Sequence, residues 1–146
     1  MLGPADMTES APSAGSSRQT LCEQHTEIRN FALAIRAMTE HKEPPDIEKF
    51  GRIRVAISRA LRDHFAAEDR ALGKLLWSQT GTQPQLLADW EAKRQEFRLR
   101  YSQHVRDWSL ADTLRDWPGY IKALNECISA GDALARFEET KIYPLI

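Results

Sequence analysis

Ligand-type residues stand on the apolar stripes of three stretches of this chain. They are His25 in LCEQHTEIRNF, His64 and Glu68 in LRDHFAAEDRAL, and Glu138 in LARFEETKIYPLI. A histidine and a glutamate four residues apart share one helix face. No other feature constrains the fold as strongly, because a buried carboxylate must be paired, protonated or metal-bound. A fold that buries these stripes has to bring the polar groups together. Helical bundles build carboxylate-bridged metal sites from residues spaced in this way.

The 3- and 4-residue spacing of apolar positions predicts four helices. Helix A spans about 19–39, with Leu21, His25, Ile28, Ala32 and Ile35 on one face. The turn HKEPPD (41–46) stops it with two prolines and offers Asp46 at the next start. Helix B spans about 47–78, with Ile57, Leu61, His64, Phe65, Glu68, Leu72 and Leu75 inward. QTGTQP (79–84) is the next break. Helix C spans about 84–108 through Leu87, Trp90, Lys93 or Arg94, Phe97, Tyr101, His104 and Trp108. SLADTLRDW is a linker, and Asp116 with Pro118 opens helix D. Its stripe runs from Ile121 to Ile142, with Pro144 at its end. No strand-type alternation competes. The expected fold is all-α, an up-down-up-down antiparallel four-helix bundle.

Counting outward from each turn aligns neighbouring helices. About a turn near residue 44, His25 lies 19 residues before and His64 lies 20 after. The same count about residue 81 sets Glu68 and His64 opposite Lys93, Arg94 and Phe97, and leaves His104 off the level. Leu134 and Glu138 fall within a turn or two of it on helix D.

Composition narrows the function classes. The chain is 42% hydrophobic and 28% charged over 146 residues, which suits one globular domain. A net charge of −1 makes no case for nucleic acid or an acidic membrane. No run is apolar enough to span a bilayer. Residues 1–18 are small, polar and Pro/Gly/Ser-rich, and read as a disordered tail before a domain at 19–146. Cys22 and Cys127 make neither a disulfide framework nor a zinc motif, which fits a reduced, cytoplasmic protein.

Together, His25, His64-Phe-Ala-Ala-Glu68-Asp and Glu138-Glu-Thr-Lys-Ile-Tyr-Pro resemble the hemerythrin-like (HHE cation-binding) domains, across roughly residues 20–146. The resemblance implies a hemerythrin-like four-helix bundle. The family's usual ligand order is His, HxxxE, His, HxxxE, around two non-haem irons bridged by carboxylates. His25, His64, Glu68 and Glu138 match that order. The helix C histidine would fall near Lys93, and the helix D histidine would be residue 134, here Leu134. Both departures remove ligands from the same iron.

Two chemical solutions follow. One metal ion sits between His25, His64, Glu68 and Glu138, a donor set that suits iron, manganese or zinc. Alternatively Lys93 or Arg94 reaches inward and replaces the metal in a buried ion-pair network, unless both snorkel to solvent. The leading function is an iron-binding or sensing domain with a reduced ligand set, open to a small diatomic ligand. The rival is a metal-free bundle acting as a protein-interaction module. The chain carries no Ser/His/Asp set, phosphate loop or cofactor fingerprint, so no enzyme is assigned. Cys22 and Cys127 read as small buried hydrophobes, and Tyr101 and His104 as packing. His41 reads as exposed, and Asp69 and Glu139 as facing solvent or supporting the glutamates. Trp77, Trp90, Trp108 and Trp117 read as packing, with Trp108 and Trp117 able to form an exposed patch.

Overall fold

The structure, a computed structural model, describes residues 14–78 and 83–146. The break at 79–82 and residues 1–13 of the expected tail lie outside the described residues, as does the side chain of Trp77. The described residues hold five α-helices and no strand: α1 (Ala14–Met38), α2 (Ile47–Ser78), α3 (Pro84–Asp107), α4 (Leu110–Arg115) and α5 (Trp117–Phe137). A π-helical turn (Glu138–Ile142) and a 3-10 turn (Tyr143–Leu145) continue α5.

The boundaries follow local chemistry. Asp46 accepts hydrogen bonds from the Glu48 and Lys49 amides and starts α2. Pro84 opens α3, where its missing N–H costs nothing. The expected C–D linker contains a short helix, because Ser109 caps the Asp112 amide and Asp116 then caps Gly119. The helix α1 begins at Ala14, five residues before the expected start near 19. Arg18 in this extension donates to the carbonyls of Pro144 and Ile146, tying α1 to the C-terminal turns.

Side-chain pairs set the register. His25 of α1 stands beside His64 of α2, and Ile35 packs near Phe50. Ser58 of α2 bonds Tyr101 of α3, and Phe65 meets Phe97. Trp90 of α3 reaches Glu138, and His104 packs on Tyr120 of α5. The core divides into two clusters. One includes Leu21, Phe65, Trp90, Phe97, Leu134 and Tyr143, and surrounds the polar residues. The other joins Ile35, Phe50, Trp117, Tyr120 and Leu124 at the opposite end. No helix among the described residues is long and apolar enough to cross a membrane.

Candidate metal centre

His25, His64, Glu68 and Glu138 are all buried, and one donor atom from each lies within 4.8 Å of the others. The His25 Nε2 is 3.1 Å from Glu138 Oε1. The His64 Nε2 is 3.3 Å from Glu68 Oε2 and 3.9 Å from Glu138 Oε1. Matched stripes on α1, α2 and the end of α5 therefore place the four residues on one level.

Each imidazole is oriented from behind. His25 Nδ1 lies 2.9 Å from Glu139 Oε1, and Arg29 clamps that carboxylate at 2.7 Å. His64 Nδ1 lies 2.8 Å from Gln24 Oε1. Both Nδ1 atoms face oxygen acceptors, so each carries the proton and donates it. Each Nε2 is thereby turned toward the cluster centre. Histidine ligands to metals are held in this way by carboxylate or carbonyl partners.

The opposite side is closed. Glu68 divides its oxygens: Oε2 faces the cluster, while Oε1 accepts from Arg94 Nε at 3.3 Å. Glu138 does the same, with Oε2 accepting from Trp90 Nε1 at 2.8 Å. The guanidinium of Arg94 is fully buried over the Trp90 ring, and also binds Asp69, Glu91 and the Phe65 carbonyl. Two N–H donors thus take the carboxylate oxygens that a second ion would need. Arg94 is the inward cation. Lys93 is exposed and lies over Phe137, because the turn of α3 points it away from the stripe. Leu134 is buried and contributes only an apolar wall.

Burial works against a proton on His64, yet hydrogen bonds and negative charge from Glu138 and Glu68 win and raise its pKa to about 9. Burial likewise pushes the Glu68 carboxyl up, with Glu138 adding to the push. Glu138 goes the other way. Burial opposes its charge, but donors on His25, His64, Glu68 and Trp90 hold it well below the usual carboxylate range. Buried beside both carboxylates, the Tyr143 phenol is pushed far above its ordinary value.

Tyr143 belongs to the C-terminal motif, but nothing in the sequence assigned it a role at the site. Its Oη donates to Glu68 Oε2 at 2.9 Å and lies 3.0 Å from His25 Nε2 and 3.4 Å from His64 Nε2. Trp90, expected as packing, is also a hydrogen-bond donor. The apolar stripe marked Trp90 as inward but carried no sign of its polar partner. Asp69 is exposed yet pairs with Arg94, and the half-buried Glu139 holds His25 and Arg29. Other expectations are corrected. Cys22 is exposed, because Leu21, Ile28, Ala32 and Ile35 lie to one side of His25 around α1 and Cys22 lies to the other. Trp117 is buried against Phe50 and Tyr120 and forms no exposed patch. Cys127 is buried, His41 is exposed, and His104 lies away from the level, as expected.

The donor set fits a metal ion. Metal–ligand bonds of about 2.1 Å set neighbouring ligand atoms roughly 3.0–3.4 Å apart, close to the 3.1 and 3.3 Å separations here. A cavity of about 480 Å³ between α1 and α5 reaches His25, His64 and Glu138 past Phe97, Gly131 and Leu134. Gly131 lets the Phe97 ring pack closely on α5 at this wall, because an added Cβ would stand 3.2 Å from it.

Comparison with known proteins adds an independent line. No curated protein and no solved structure gave a significant match. The description hemerythrin HHE cation-binding domain matches residues 17–146, nearly the whole chain, and the chain belongs to that family.

Proposed function

We propose that this chain is a metal-binding or sensing domain that holds one non-haem ion, preferably iron, between His25, His64, Glu68 and Glu138. The observation that carries the reading is the orientation of the two imidazoles. Glu139 and Gln24 hold the Nδ1 protons, so both Nε2 atoms meet carboxylate oxygens at one point. The capped outer oxygens of Glu68 and Glu138 support one ion rather than two. The register pairs support an up-down-up-down course for the four long helices. Bound iron would supply an open coordination position for oxygen, nitric oxide or peroxide. The apolar cavity beside His25 and His64 would admit a ligand of that size and limit water. Two free cysteines support a reducing, cytoplasmic setting.

A second reading has its own observation. No buried side-chain polar atom among the described residues lacks a hydrogen-bond partner. With Arg94 and a protonated His64 as internal cations, the bundle would close without metal and serve as an interaction module.

Elemental analysis separates the two, using full-length protein produced with added iron and kept from affinity-tag metal. About one ion per chain, lost in His64→Ala, is the expected result. Zinc or manganese at that stoichiometry would change the ion and keep the site. Two ions per chain would overturn the capped-side argument. No ion, with intact helical circular dichroism, would establish the metal-free reading.

A further inference from the structure

Tyr143 stands five residues after Glu138. An α-helix turns about 100° per residue, so a residue five further on points roughly 140° away. The π-helical turn at Glu138–Ile142 removes that divergence, and its closing hydrogen bond runs from the Tyr143 amide to the Glu138 carbonyl. Such turns are rare, and frequently mark functional sites. Here the turn brings the Tyr143 oxygen onto the face that carries Glu138.

The resulting position is specific. Tyr143 is 1% exposed, and its oxygen lies 2.9–3.4 Å from one donor atom each of Glu68, His25 and His64. Those separations match the spacing among the four ligands themselves. A hydroxyl serving only to hold Glu68 would need one such contact. A residue at the same vertex as the other donors makes all three. We infer that Tyr143 is a fifth ligand, whose phenolate oxygen binds the ion held by His25, His64, Glu68 and Glu138.

The inference rests on the proposed metal site and deepens it. On binding, the phenol O–H bond breaks, an oxygen–metal bond forms, and the proton leaves to solvent. No electron is transferred. Two carboxylates and one phenolate bring three negative charges, while Asp69 and Glu91 answer the adjacent Arg94. Three anionic, hard oxygen donors favour ferric iron over a divalent ion.

The test adds ferric iron alone to the purified full chain and to Tyr143→Phe. Iron content, visible absorption and resonance Raman are recorded on both. The expected result is a visible tyrosinate-to-iron charge-transfer band, with tyrosinate ring modes, in the wild type. The variant retains iron and loses the band. Calorimetry in buffers of different ionisation enthalpy should also show one proton fewer released by the variant. Equal spectra and equal proton release would overturn the assignment and leave the metal site standing. Ferric wild type without the band overturns it even where Tyr143→Phe fails to fold. Wild type that binds no metal of any kind overturns the site and this ligand together.

Discussion

Removing one partner of a buried ion pair leaves the other charge stranded in a low-dielectric core, at about 3–5 kcal/mol. Arg94 meets that condition, because its fully buried guanidinium neutralises an equally buried Glu68. Arg94→Met should therefore lower stability by about 3–5 kcal/mol, read as a shift in the urea midpoint. Lys93→Met, one residue away and exposed, should stay within about 0.5 kcal/mol of the wild type. Equal effects would contradict the rotation of α3 described above. The sequence left these two residues equivalent. Neighbours on a helix differ by about 100°, and the apolar stripe is itself about that wide, so either can sit at its edge. Only the packed orientation of α3 against α2 distinguishes them. Gln24 and Glu139 were hard to read for a related reason. They flank the stripe, and the role of each comes from an imidazole on another helix.

At the scale of elements, long periodic helices were legible and their irregular ends were not. The start of α2 followed from Asp46 and that of α3 from Pro84. The helix α4 depends on a Ser109–Asp112 cap inside what reads as a linker. The π turn leaves no compositional mark, because the extra residue per turn is stabilised by burial of Ile142 and Tyr143. Helix α3 also carries a pH-sensitive group at the end away from the candidate metal centre. Burial, then the charge of Arg54 on α2, hold the His104 pKa down, and Asp107 only partly offsets them. Tyr120 of α5 covers its ring. Above pH ~6.5 His104 is neutral in both states. As pH falls through that value the unfolded chain takes up a proton that the folded protein resists, so stability is lost. Urea titrations between pH 7.5 and 5 should show a steeper decline for the wild type than for His104→Phe. Parallel declines would remove His104 as the cause.

For the whole molecule, a ligand that binds only the folded state adds RT ln(1 + [L]/Kd), about 2.7 kcal/mol at a hundredfold excess over Kd. The four converging residues come from α1, α2 and the turn after α5, so an ion between them would cross-link the bundle. The melting temperature should rise by several degrees with iron and return with a chelator. His64→Ala should abolish the rise. The sequence by itself determined the helical class, three of the main boundaries and the identity of the four converging residues. Each of these depends on local spacing or on a residue's own backbone preference. The tertiary structure decided that Arg94 rather than Lys93 enters the core, that Trp90 and Arg94 close one side, and that Tyr143 joins the cluster. Those outcomes depend on helix rotation and on one π turn, and both are set by packing between segments far apart in the chain.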